Sequence, residues 1–476
     1  SSAASDVYKR QIQDAQSTSL FYRDMLDGTI KPGVAESITL APDGNSYVIK
    51  VRAAITFTNG DPLSADDVKF SLDRIEAVGG SASVWTDAVD RAEVTDPQTV
   101  VVYTKYASPA FYYTLYGLPI VPKGYINSLN DPPWAAKAFS AKPIAVGPYK
   151  LTENAIGSHE TFVAYDKYFL GTPYVRQITV NVVPESTTKI AQLQAGEVDI
   201  VQGLLPDQVD TVKAIPGATI TRSNGAGSSE LTFFDILKPG SPFGDMRVRQ
   251  ALNHAVDRKT IISTLYKGEA ILLNSLAVRS PASIGYDDTL FKTEPFPYDP
   301  QKAKQLLAAA GYANGFDTQI TTYDTTTTPG TPDMMQAVSE FLRQVGVKAP
   351  VQLMEAGQYV GKFRDHSLTG MGPISFGGYL ADFASQYAIH YLKGSAFSYD
   401  DWPDGDALYQ QIQRELDPAK RKAMSQQLVK MLSRDRIPNI ALVGTNALIG
   451  LGPRIAAYPR PDAEPYLTGV WQIRLK

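Results

Sequence analysis

Apolar positions along the chain follow two rhythms, one of period two and one of period 3.6. "SYVIKVR" (Ser46–Arg52) and "TVVVYTKY" (Thr99–Tyr106) are rich in β-branched and aromatic residues and predict strands. Between them, "FTNGDPLSADDVKFSLDRI" (Phe57–Ile75) changes rhythm. Asn59-Gly60 tolerates the positive φ of a tight turn, and Pro62 fixes the exit. Ser64 is placed to accept from the amide of Asp67 as an N-cap. Asp66 and Asp67 fall in the first turn, where the helix dipole favours negative charge. Val68, Leu72 and Ile75 then recur at i, i+4 and i+7 as one apolar stripe. The stretch predicts a strand–turn–helix corner. Further on, "VGPYKLTENA" and "ETFVAYD" alternate as a hairpin-like pair.

Two later stretches combine both rhythms. "ITVNVV" (Ile178–Val183) reads as a strand, Ser186 as the cap of a helix with Ile190 and Leu193 inside, Gly196 as its stop, and "VDIVQG" (Val198–Gly203) as the next strand. "TQITTY" (Thr318–Tyr323) leads through a Thr/Pro/Gly loop to a helix carrying Val338, Phe341, Leu342 and Val345; Gly346 ends it and "VQLME" (Val351–Glu355) follows. Strand, helix, glycine, strand is the grammar of a crossover in an α/β sheet, and finding it twice predicts two α/β lobes. Helices fill the remainder. Val248, Ala251, Leu252 and Ala255 share one face, and Asp257 caps the helix after it. "DPQKAKQLLAAAGY" and "LDPAKRKAMSQQLVKMLSR" each place Asp at the N-cap and Pro at the first helical position.

Composition narrows the class. The 476 residues suffice for about three domain-sized units or two large lobes. A formal net charge of −4 leaves no basic footprint for nucleic acid. No stretch approaches the roughly 20 apolar residues that span a bilayer. The absence of cysteine excludes disulfides, thiolate metal sites and a cysteine nucleophile. The 26 tyrosines and 18 phenylalanines suit a cleft that must be apolar and still hydrogen-bond.

Catalytic signatures are missing: no G-x-S-x-G, no G-x-x-x-x-G-K-[ST], no H-E-x-x-H and no G-x-G-x-x-G. His159, His254, His366 and His390 lack metal-ligand spacing, so no metal and no cofactor are expected. Arg247 and Arg249 point to different helix faces, which favours structural ion pairing over an anion clamp. In "ISFGGYLADFASQYAIHYL" (Ile374–Leu392), paired glycines sit among aromatic residues and a single acid, Asp382, precedes a helical run with Tyr387, His390 and Tyr391. On local grounds Asp382 reads first as the N-cap of that helix, with a site residue as the alternative.

"KPGVAES", "FTNGDPLSADDVKFSLDRI", "VGPYKL", "GEVDIV", "PFGDMRVRQALNHAVDRKTII", "YDPQKAKQLLAAAGY" and "YLADF" occur in one order. Together they resemble the peptide/nickel-type extracellular solute-binding proteins of ATP-binding cassette (ABC) importers, from about Lys31 to near the C-terminus. The resemblance implies an α/β, two-lobed periplasmic-binding-protein fold (type II-like) with an extra subdomain in the N-terminal lobe. Lobe I would comprise residues 1–34, 142–244 and 455–476, with the extra subdomain at 35–141 and lobe II at 245–454. Segments near Pro239–Asp245 and Gly452–Ala456 would cross between the lobes.

The implied function is capture of a small peptide or other amine-bearing solute (an opine-like compound, for instance) and delivery to a membrane permease. The protein would be a monomer outside the cytoplasm, periplasmic or extracellular, free or tethered as a lipoprotein, and not an enzyme. An oligosaccharide is the alternative cargo. A carboxylate-pair hydrolase is the rival of another class, and a regulatory or chaperone-like binder a third.

By the same resemblance, Asp382 falls where peptide binders carry an acid for the ligand's α-amino group, although the sequence continues "FASQ" where the family favours a polar-Asp-Pro turn. Tyr379 would be a stacking wall, Phe376 would stand near an arginine position of some relatives, and Tyr359 near an aromatic pocket. Phe383 and Tyr387 follow the acid, and either Phe233 or Phe234 of "ELTFFDIL" would face the ligand. The opening "SSAASDVYKRQ" matches no part of the family pattern, so a truncated or replaced native start is expected.

Overall fold

A computed structural model of the chain describes residues 15–24, 29–42, 44–78, 86, 88–106, 111, 115, 118–129, 139, 142–155, 157–276, 283–323, 330–377, 382–458 and 469–476. Near the N-terminus, strands β1 (Ala35–Leu40), β2 (Ser46–Val51), β3 (Val89–Asp96) and β4 (Thr99–Thr104) form an antiparallel sheet in the order β1-β2-β4-β3. Tyr47, Ile49, Val100 and Val102 face one core with Val68, Leu72 and Ile75 of helix α1 (Ala65–Val78). The predicted corner is present. Gly60 has φ +96°, and Asn59 Oδ1 accepts from Asp61 N at 3.1 Å.

The cap of α1 works in the opposite sense from the expected one. The Asp67 carboxylate reaches back and accepts from Ser64 N at 2.9 Å and from Ser64 Oγ at 3.1 Å. Three residues separate a short hydroxyl from a longer acid, and the acid has the reach. Its second oxygen accepts from Lys123 N at 2.9 Å, at the start of α2 (Lys123–Ser128). One turn later, Ser71 Oγ donates to Asp67 O and accepts from Val121 N. The corner therefore docks a second chain segment by satisfying its backbone donors.

Strands β5 (Tyr149–Ala155), β6 (His159–Ala164) and β7 (Gln177–Asn181) form an antiparallel sheet, so the hairpin pair is found as read. Gly147 in "VGPYKL" permits close passage of the N-terminal segment: a Cβ there would stand 2.0 Å from Gln16 O. The first expected crossover is not one. Helix α3 (Ser186–Ala195) follows β7 and ends at Gly196 with φ +72°, but its N-cap is Glu185, not Ser186, and makes no side-chain cap bond. The next strand, β8 (Ile200–Gln202), joins a different sheet and runs antiparallel to its neighbour. Periodicity fixes the type of an element, whereas the choice of partner strand depends on residues far along the chain.

That second sheet has seven strands. Added to β8 are β9 (Thr219–Phe233), β10 (Ala270–Leu272), β11 (Ile320–Tyr323), β12 (Val351–Met354), β13 (Met371–Gly377) and β14 (Asn439–Leu451). The order is β8-β14-β9-β13-β11-β12, with β10 also on β14. Strands β11 and β12 are parallel neighbours, so the second predicted crossover, from Thr318 to Glu355, is real.

Strands β9 and β14 pass through two cores. Leu231 and Phe233 of β9 and Ile440, Leu442 and Val443 of β14 lie in the larger core, with Val248, Ala251, Leu252 and Ala255 of helix α4 (Met246–Ala255) and Met334, Met335, Val338 and Leu342 of α5 (Thr331–Gln344). Ile220 and Leu448, on the other halves of the two strands, pack with Ile190, Leu193 and Val201 in a smaller core. Between the cores, Thr445–Ala447 are only half-buried, flanked by buried residues on both sides. Opposite them β9 has a register shift between Ser223, which faces Ala447, and Gly227, which faces Thr445. Extra residues on one strand of a pair bend it and raise its twist. Phe243 packs in the larger core, and a Cβ at Gly452 would stand against Leu193 of the smaller core and the backbone of Asp199.

Replacing Asp67 by Ala leaves three donors without their acceptor and is expected to cost about 2–3 kcal/mol, read as a loss of stability in urea unfolding. Asp66→Ala, which removes only an exposed contact to Lys123, is expected to cost less than about 1 kcal/mol. Equal losses would contradict the docking role of Asp67.

Candidate ligand-binding site

At the waist, several strand ends meet. Gly227 of β9 stands opposite both Gly377, the last residue of β13, and Thr445 of β14, while Ala270 begins β10 opposite the same Thr445. After Gly377 the chain leads to Asp382 at the N-cap of helix α6 (Phe383–His390). These strand ends and the start of α6 bracket the candidate site. Two small cavities among the described residues are far smaller than a solute. Those lined by His390, Tyr391 and Asn439, and by Arg258, Asn274 and Arg434, each hold about 10 Å³, room for roughly one water. An organic solute needs hundreds of cubic ångströms.

Asp382 accepts from Ala384 N at 2.9 Å through one oxygen, as an N-cap should, and from Arg421 Nη2 through the other. Arg421 lies on helix α8 (Pro418–Met431), which follows α7 (Pro403–Arg414). Both side chains of the pair are buried, at 0% and 3% exposure. The carboxylate is therefore charge-balanced within the fold. The backbone on either side is pinned too: Phe383 N donates to Ile284 O at 2.9 Å, and Gln386 Nε2 to Leu276 O at 2.7 Å. Gly285, with φ +100°, lets Phe383 approach, since a Cβ there would lie 2.7 Å from Phe383 Cβ.

The other expected residues divide among three packing groups. Phe383 and Tyr387 are buried between α6, α7 and α8; Tyr387 stacks on Tyr409 at 5.5 Å and donates to Asp406 at 2.8 Å. Burial, and then Asp406, raises the pKa of the Tyr387 hydroxyl. Phe234 and Tyr359 belong to an aromatic group with Phe363 and Tyr399, and Tyr359 OH donates to Pro373 O at 2.7 Å. Phe233 points the other way, into the larger core, as alternation requires. Phe376 lies on β13 opposite Ser228; only its backbone is described, and Tyr379 lies outside the described residues. The fold thus brings Asp382, Phe383 and Tyr387 to one helix, and puts Phe234 and Tyr359 in the aromatic group and Phe233 in the larger core.

Two polar groups near the strand ends were not singled out in the sequence. Glu230 on β9 is fully buried, and its Oε2 accepts from Asn439 Nδ2 at 2.6 Å and Tyr391 OH at 3.2 Å. A lone acid inside the apolar strand "ELTFF" was the available signal. Glu269, just before β10, accepts from Arg222 Nε and Nη2 at 2.7 and 2.6 Å. The guanidinium holds the Glu269 carboxyl below its usual range. As for the arginine pair, Arg247 chelates Asp245, whereas Arg249 is buried and donates to the backbone oxygens of Phe243, Gly244, Arg436 and Ile437.

The model of the bacterial extracellular solute-binding proteins, family 5 Middle, matches residues 29–400. A heme-binding protein A from Haemophilus influenzae is 27% identical over 365 residues, covering 71% of this chain and 65% of its own length. The glutathione-binding protein GsiB from Escherichia coli O6:K15:H31 is 28% identical over 389 residues, covering 79% of this chain and 70% of its own. Among solved structures, the ABC transporter-associated periplasmic binding protein DppA from Helicobacter pylori, in complex with the peptide STSA, superposes with a TM-score of 0.81 at 21% identity, over 97% of this chain and 92% of that one. This likeness shows the two-lobed fold.

Arg421→Met leaves a buried carboxylate without its counter-charge and is expected to cost about 3–5 kcal/mol in urea unfolding. Adding Asp382→Asn in the same chain is expected to restore a large part of that loss. A single variant as stable as the parent would contradict the buried pair.

Proposed function

The chain belongs to the bacterial extracellular solute-binding proteins of family 5, and from that premise we propose that it captures a short peptide or another small amine-bearing solute between its lobes and delivers it to the permease of an ABC importer. Proteins of this family bind solutes rather than transform them, so the hydrolase reading falls away. The observation that carries the proposal is the waist: two cores joined by β9 and β14, with the register shift of β9, the start of β10 and the end of β13 meeting there, and the chain leading on from β13 to the start of α6. Hinge closure about such a link would enclose a solute at those strand ends. We assign lobe I to the smaller core with the preceding sheets, including the added subdomain over residues 35–141, and lobe II to the larger core. The passages between them then run at 223–227 and 445–447.

The likenesses to proteins named for heme, glutathione and a peptide support an organic cargo, two of the three peptidic. In this reading Asp382, Phe376 and Tyr379 border the solute. Phe383, Tyr387, Phe233, Phe234 and Tyr359 back the site from within the packing. Because Arg421 already balances the buried Asp382, an ammonium on the cargo finds no unshared counter-charge there.

Native mass spectrometry of protein purified without denaturation, alone and after incubation with glutathione, short peptides, heme, an opine and an oligosaccharide, tests the proposal. The expected result is an adduct of peptidic mass that is released unchanged. N-acetylating a bound peptide is expected to weaken it less than about tenfold, a difference of at most about 1.4 kcal/mol. Conversion of any compound, or preference for the oligosaccharide over every peptide, would overturn this reading.

A further inference from the structure

Among the described residues, Glu269 ties together parts of both cores at the waist. It ends the turn after the helix Arg258–Thr264 and is followed by Ala270, which is buried in the larger core and pairs with Thr445. Its carboxylate takes both hydrogen bonds of the Arg222 fork. Arg222 is on β9 opposite Leu448, a residue of the smaller core. Glu269 also receives a side-chain hydrogen bond from Asn446 of β14, and its backbone oxygen accepts from Asn446 N at 3.4 Å. One carboxylate is thus held by both crossing strands, immediately beside the register shift that begins after Ser223.

The surroundings make this contact unusual in weight. Thr445–Ala447 are half-buried, so the waist has little apolar covering to resist bending. The pair itself is largely shielded, with side chains 32% and 14% exposed. A two-pronged arginine–carboxylate bond is planar and directional, and rotation of one strand against the other lengthens at least one prong. A nonpolar core tolerates small sliding; a fork does not.

We propose that Glu269, gripped by Arg222 and Asn446, is a positioning latch that sets the angle between the two cores and so the share of ligand-free protein in the arrangement seen here. The proposal rests on the two-lobed carrier reading, but its test needs no cargo. Affinity for any solute would follow from it, because apparent affinity scales with the population competent to bind.

The full chain contains no cysteine, so two can be introduced at Asp210, whose side chain is 97% exposed on the smaller core's side, and at Leu353, 69% exposed on β12. Single-molecule energy transfer between dyes there reads the angle directly. Glu269→Gln and Arg222→Gln are each expected to change the ratio of the populations at least about fivefold. The exchange Arg222→Glu with Glu269→Arg is expected to restore the parent distribution in part. Should Glu269→Gln not fold, Arg222→Gln, which removes the more exposed partner, decides alone. Parent-like distributions in the folded variants, even with lowered melting temperatures, would overturn the latch and reduce the pair to a local contact. That result would leave the carrier reading intact.

Discussion

The backbone ladder between β9 and β14 is the constraint from which the rest follows. It runs from Thr219 opposite Leu451 to Thr232 opposite Asn439, interrupted by register shifts, and two cores form around its two halves. A strand pair cannot stretch, because its hydrogen bonds and its covalent chain fix the spacing. It can twist where a bulge loosens the register. The cores are thereby kept at a fixed distance and left a single soft coordinate. For a protein that must hold a solute and later let it go, that coordinate is the useful one.

The larger core is anchored to this ladder by buried arginines. Arg249 reaches the carbonyls of Arg436 and Ile437, just before β14 begins, and Arg258 reaches Ala441 within it. Burial lowers the pKa of both guanidiniums to about 10, and backbone oxygens supply the partial negative charge that stabilises them. Asn253 shares in the network, donating to Asn439 O and accepting from Arg258. The start of β14 is therefore firmly framed, whereas the stretch Thr445–Ala447 is half-buried and meets Glu269 through Asn446.

Much of this fold was legible in the sequence, for local reasons. The turn at Asn59-Gly60 and the caps at Asp257, Asp299 and Asp417 depend on residues within one turn of each other, and the crossover from Thr318 to Glu355 joins two strands separated only by its own helix and short connections. The errors came where distance along the chain decided the outcome. Strand β8 pairs with a strand more than two hundred positions later, so its crossover partner could not be read from its neighbourhood. At Asp382 the cap was readable because Ala384 is two residues away, but Arg421, 39 residues on, was not. That second partner changes the chemistry from an unshared acid to a neutral buried pair. Only packing separated Phe233, in the larger core, from Phe234, in the aromatic group with Ile374 of β13.

In the proposed carrier, two bodies turn about one pair of strands around a passenger. Small-angle X-ray scattering of the protein stripped of solute, and again with a co-purified or panel-identified solute restored, tests that most directly. A smaller radius of gyration with the solute present, reversed on its removal, is the predicted result. Superimposable profiles under saturating solute would contradict it.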